Sequence, residues 1–121
     1  MSVRDLTKQF VLRRVRSVDL PHGQVAYIRS LTEGEKSEYE QSQLTEGPGG
    51  RRISDPSKLV TARARLIALC LCESDGTLVM EPSAWPEIIG WDGAVCQAMY
   101  DAIQDHLGYC LDRLKLIAKN S

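Results

Sequence analysis

Asp55-Pro56-Ser57-Lys58-Leu59-Val60-Thr61-Ala62-Arg63-Ala64-Arg65-Leu66-Ile67-Ala68-Leu69-Cys70-Leu71 is the stretch on which the fold turns. Asp55 offers a side-chain oxygen to the orphan N–H groups of a helix start, and Pro56 fills the first helical position, where a missing N–H costs nothing. Leu59, Val60, Arg63, Leu66, Ile67, Cys70 and Leu71 then lie on or beside one stripe at helical spacing, with Arg63 and Arg65 flanking the buried face. No other segment is as apolar. A helix from Pro56 to about Leu71 is therefore predicted to be the centre of the core.

Working outward toward the C-terminus, Ser74-Asp75-Gly76 is turn chemistry and Thr77-Leu78-Val79-Met80 reads as a short extended return. Residues from Pro82 to Trp91, broken by Pro86 and Gly90, are helical or 3-10 at best. Asp92 offers the next N-cap. Val95, Ala98, Met99, Ala102, Ile103 and Leu107 follow as an apolar stripe, continued by Leu111, Leu114 and Ile117, with Gly108 placed to kink or divide the run.

Working toward the N-terminus, Thr45 to Ser54 holds Gly47-Pro48-Gly49-Gly50-Arg51-Arg52, where no apolar periodicity survives, and it reads as a mobile loop. Thr32-Glu33-Gly34-Glu35 fits a capping box, with Leu31 as a hydrophobic staple. It predicts a surface helix from Thr32 to about Leu44 that packs through a narrow stripe including Tyr39. Before it, alternation from Phe10 to Val18, the turn Pro21-His22-Gly23, and alternation from Val25 to Ser30 read as a β-hairpin. Val3, Leu6 and Phe10 share a helical face, so the first ten residues are a frayed helix or an arm. The fold expected is mainly α with a small N-terminal β-hairpin (α+β), one domain built as a helical cluster. The arm and hairpin occupy residues 1–30, and the helical core, with its loop at about 45–54, occupies residues 31–121.

Composition narrows the function. The 121 residues carry 15 basic and 16 acidic side chains, a net charge of −1, with 43% apolar and 26% charged content. That is a soluble globular composition. Balanced charge argues against a general binder of nucleic acid or anionic membrane. Having 2 Trp, 4 Tyr and 1 Phe, the chain is poor in platforms for stacking bases. The N-terminal Met1-Ser2-Val3-Arg4-Asp5-Leu6-Thr7-Lys8 lacks the apolar core of a signal peptide, and the run Leu66 to Cys72 is too short to span a bilayer. A cytoplasmic protein with reduced cysteines is expected.

Few constellations invite chemistry. Cys70 and Cys72 form a C-x-C, and His106 and Cys110 lie one helical turn apart, so the two pairs are conceivable zinc donors. The spacing matches no common knuckle, and the preferred reading is small core hydrophobes. His22 and His106 are the two imidazoles available as bases, and a Cys110–His106 pair has no third group to orient it. No nucleophile elbow, helical H-E-x-x-H or phosphate loop occurs. The chain is read as not an enzyme, with no cofactor, metal ligand or catalytic residue assigned. Glu33, Glu35, Glu38 and Glu40 read as a solvated helix face. Trp85 and Trp91 bracket a broken helix; the preferred reading is that they cap the core, and both are also carried as partner-binding candidates.

The order of segments resembles the tail assembly chaperones of long-tailed phages and prophages. The resemblance covers residues about 20–121. It rests on Gly23-Gln24-Val25-Ala26-Tyr27-Ile28-Arg29, then Leu31-Thr32-Glu33-Gly34-Glu35-Lys36-Ser37-Glu38-Tyr39-Glu40. Next come Ala62-Arg63-Ala64-Arg65-Leu66-Ile67-Ala68-Leu69-Cys70-Leu71-Cys72-Glu73-Ser74-Asp75-Gly76 and a C-terminal amphipathic stretch. The third segment, similar to the family's "x-A-R-L-V-A-L-C-L-x-D-E-D-G", is the most specific. The resemblance implies a non-enzymatic factor of viral morphogenesis that binds and solubilises the tape measure protein and helps recruit tail tube subunits. It would act in the host bacterial cytoplasm and be absent from the mature virion. The partners implied are the tape measure and tail tube proteins, with self-association left open, and neither nucleic acid nor membrane. By helix-in-groove logic the protein-binding candidates are Leu107, Leu111, Leu114 and Ile117, beside Trp85 and Trp91. Such chaperones often have a longer form made by ribosomal frameshifting, and Ala118-Lys119-Asn120 can be encoded as GCA-AAA-AAC, which holds the slippery run A-AAA-AAC. A small host regulatory or adaptor domain is the alternative.

Overall fold

The computed structural model describes residues 12–108, apart from the side chains of residues 54, 56, 59 and 60. Strands β1 (Val15–Asp19) and β2 (Val25–Arg29) pair antiparallel with Val15 opposite Arg29 and Asp19 opposite Val25, the hairpin the alternation predicts. Its turn is the 3-10 segment Pro21–Gly23, closed by the Leu20 N–H donating to the Gln24 carbonyl at 2.8 Å. His22 there takes φ 67°, a left-handed conformation seldom seen in residues with a β-carbon. Helix α1 (Glu33–Ser42) begins on the capping box. Thr32 Oγ1 accepts from the Glu35 N–H at 3.2 Å, and Glu35 Oε1 accepts from the Thr32 N–H at 2.9 Å. Tyr39 is its buried residue.

Residues expected as a loop form a second hairpin. Strands β3 (Leu44–Glu46) and β4 (Arg52–Ser54) pair antiparallel, with Thr45 opposite Ile53. The Gly-rich run supplies the reversal, with Gly49 at φ 72° and Gly50 at φ 76°. Helix α2 (Pro56–Cys70) starts where Asp55 accepts from the Ser57 N–H at 3.0 Å. It passes without a loop into β5 (Leu71–Cys72), which pairs antiparallel with β2 through Ile28 opposite Leu71 and Tyr27 opposite Cys72. The chain then turns through Ser74-Asp75-Gly76, and Leu78 bridges back to Cys72. After the 3-10 turn Pro82–Ala84 comes the single-turn helix α3 (Trp85–Ile88). Helix α4 (Gly93–Leu107) starts where Asp92 accepts from the Val95 N–H at 3.1 Å, and Gly108, left-handed at φ 81°, terminates it.

The fold class is therefore corrected. The expectation of a mainly α helical cluster with one N-terminal hairpin gives way to a mixed α+β fold. Among the described residues the strands form two small sheets, a three-stranded sheet of order β1-β2-β5 and the β3–β4 pair. The physical reason lies at the end of α2: Leu71 takes φ −63°, ψ 122°, so the apolar run continues as strand and inserts the helix end into the sheet.

The core forms where the sheet, α2 and α4 meet. Val18 and Ile28 come from the sheet, Leu66, Ile67, Ala68 and Cys70 from α2, and Cys96, Met99 and Ile103 from α4. Leu66, Ile67 and Ala68 are consecutive and all buried, so α2 is enclosed on more than one side. It carries α4, α3, the Pro82–Ala84 turn and α1 around it.

Candidate protein-binding surface

Two arginines and one carboxylate tie the first hairpin to α1 and α2. Glu35 Oε2 accepts from Arg13 at 3.1 Å and from Arg29 at 3.3 Å, and Arg13 also bonds Oε1. Arg29 is 8% exposed, and its Nε donates to the Leu69 carbonyl in the last turn of α2 at 3.2 Å. Burial alone would raise the Glu35 carboxyl. The Arg13 hydrogen bond, the Thr32 amide and the two guanidinium charges outweigh it and hold the group at about 2. Arg29 is lowered from its ordinary value, first by burial and then by the Arg13 charge, while the Glu35 hydrogen bond raises Arg13. The capping box announced Glu35 as a cap; nothing in the sequence announced it as the hub of an ion pair.

On a helix Arg65 and Leu69 share one side, with Arg63 and Ile67 roughly opposite. Each side carries a cleft and one of the tryptophans. The first, about 290 Å3, is lined by Glu35, Glu38, Tyr39, Leu69, Pro82 and Trp85, among others, and the Arg65 guanidinium covers the Trp85 ring at 4.5 Å from its centroid. Burial pushes the Tyr39 hydroxyl in its wall up to about 12, so it stays a phenol at neutral pH. The second, about 470 Å3, is lined by Arg63, Ala64, Ile67, Ile88, Ile89, Trp91, Gly93 and Cys96. Arg63 lies 5.4 Å from the Tyr100 ring centroid. Both tryptophans are half-buried and pack against the core cluster, so each covers core and lines a cleft at once.

Leu107 is placed elsewhere. It packs at the edge of the core and borders a polar hollow with Arg14, Arg16, Asp105, His106 and Gly108. There Arg16 pairs with Asp105 at 2.8 Å, and Arg14 donates to the His106 carbonyl at 3.2 Å. His106 Nε2 lies 2.9 Å from the Arg14 carbonyl, which can only accept, so that nitrogen carries the proton. Leu107, Trp85 and Trp91 thus do not converge on one site. Leu111, Leu114 and Ile117 lie outside the described residues, as does Cys110.

Cys70, Cys72 and Cys96 are buried, and burial raises all three thiols, Cys70 to about 12. All three are packed as small core side chains. Among the described residues no group of three or more His, Cys, Asp or Glu is placed to hold a metal ion. None of the helices described is long and apolar enough to cross a membrane. No known family model, curated protein or solved structure matches the chain.

Proposed function

We propose that this chain is a tail assembly chaperone of a long-tailed phage or prophage. It binds and solubilises the tape measure protein, helps recruit tail tube subunits, and works in the host bacterial cytoplasm without catalysis or cofactor. The observation that carries the reading is the order of two segments, Leu31 to Glu40 followed by Ala62 to Gly76. In the folded chain the first is the box-capped α1, and the second is α2 with β5 and its turn. Glu35, Arg29 and the Leu69 carbonyl join them into one unit. Tryptophan-lined clefts on both sides of α2 supply apolar contact area of the kind a protein partner uses.

The test is co-expression with the tape measure protein encoded downstream. The chain is expected to keep that protein soluble and to co-purify with it. A tape measure protein that stays insoluble and uncaptured overturns the reading, as does a gene neighbourhood with no tail tube and tape measure genes. A longer product is expected by slippage at Ala118-Lys119-Asn120. Codons that break the A-run there remove its basis.

A further inference from the structure

The two clefts beside α2 differ in what they leave unsatisfied. In the Trp85 cleft the aromatic face is already taken by Arg65, whose Nε also donates to Thr61 Oγ1 at 3.1 Å. The Trp91 cleft has an apolar floor of buried Ala64, Ile67, Ile88 and Cys96. Its wall includes Ile89, a large aliphatic side chain left 58% exposed beside a half-buried tryptophan. Its volume falls within the range of about 300–1,000 Å3 in which clefts hold ligands. At its rim Arg63 is exposed, with its guanidinium 5.4 Å from the Tyr100 ring centroid, and among the described residues no carboxylate lies within ion-pair distance of it.

These features together restrict the occupant. A partner that covers Ile89 and Trp91 also takes Arg63 partly out of water, and a desolvated guanidinium is costly unless a carboxylate meets it. The occupant must therefore present an apolar side chain and an acid close together on one face. Three- or four-residue spacing on a helix does this. In a second copy of this chain neither α1 nor α4 offers such a face. α1 is polar nearly all round, with Tyr39 turned into the core, and the apolar stripe of α4 is spent on Cys96, Met99 and Ile103. We propose that the Trp91 cleft is the docking site for an amphipathic helix of the partner protein. An apolar anchor seats against Ile89 and Trp91, and an Asp or Glu one turn away pairs with Arg63. The proposal rests on the chaperone reading and assigns the residues through which it operates.

The full chain and the tape measure protein from the neighbouring gene serve as the probes. Ile89→Glu places a charge on an already exposed position. Gly93→Glu plugs the cleft from the first turn of α4, where a β-carbon meets nothing within 4 Å and the helix dipole favours an acid. Val79→Glu, at an exposed position outside the cleft, is the control. Capture is expected to fall at least tenfold for both cleft variants with the urea midpoint held, and to stay at wild-type strength for the control. Arg63→Glu is expected to weaken capture and to be rescued by a Lys in place of the partner's acid. Wild-type capture by Ile89→Glu and Gly93→Glu overturns the docking site and leaves the chaperone reading standing. So does an equal loss in the control, or a dimer of this chain that dissociates on Ile89→Glu. If the wild-type chain captures no tape measure protein, the reading fails and the docking site fails with it.

Discussion

Glu35 does three jobs with two oxygens. It caps α1 through the Thr32 amide, pairs with Arg13, and keeps the nearly buried Arg29 from standing uncompensated against the end of α2. Removing one partner of a buried pair costs roughly 3–5 kcal/mol; with its side chain 25% exposed, Glu35→Gln is expected to cost about 2 kcal/mol. The sign of the pH dependence follows from the depressed carboxyl, held at about 2 against an ordinary 4.5. Its contribution is full above the ordinary value and is lost as pH falls toward the folded one. Urea midpoints measured from pH about 5 down to about 2 should drop more steeply for the wild type than for Glu35→Gln. Equal slopes would show that the pair contributes no net stability. The sequence made the cap legible because its partners lie three residues apart. Arg13, Arg29 and Leu69 lie at long and irregular separations that no local pattern records.

At the scale of elements, the starts of α1, α2 and α4 were legible, each marked by an Asp or Thr whose side chain bonds the first turn. The strands were harder. β5 is two residues long and continues the apolar run of α2, so neither length nor alternation separates it from the helix. In the second hairpin, three residues on each side are too few for a period of two to show. Gly-Pro-Gly-Gly serves a tight reversal and an open loop equally well. Among its described side chains that hairpin contributes none to the core cluster, and Ile53 stays exposed. Gly50→Val forces a β-branched residue into φ 76° at a cost of roughly 1–2 kcal/mol. Because the described side chains of β3 and β4 lie outside the core cluster, the cost should appear locally. Hydrogen exchange should quicken at the Gly47 amide, which donates to the Arg51 carbonyl at 2.6 Å, with the urea midpoint nearly unchanged. A midpoint lowered by the full cost would mean that the hairpin unfolds only together with the core.

For the molecule as a whole, the described cysteines sit at the joints. Cys70 ends α2, Cys72 lies in β5 beneath the bridge to Leu78, and Cys96 fills the contact of α4 with α2 and α3. Cys70 and Cys72, 0% and 2% exposed, cannot meet a reagent while sheet and α2 remain assembled, whereas Cys96 borders the Trp91 cleft. In a chain carrying Cys96→Ser and Cys110→Ser, a thiol-specific disulfide reagent at neutral pH should therefore label slowly. The rate should follow opening of the fold and rise toward the unfolded rate with urea. The two sites should also lose protection together, because helix end and strand are one continuous segment. Fast labelling at Cys72 with Cys70 still protected would show β5 peeling from β2 on its own. The helix-to-strand passage would then be an edge that opens, not the joint that closes the core.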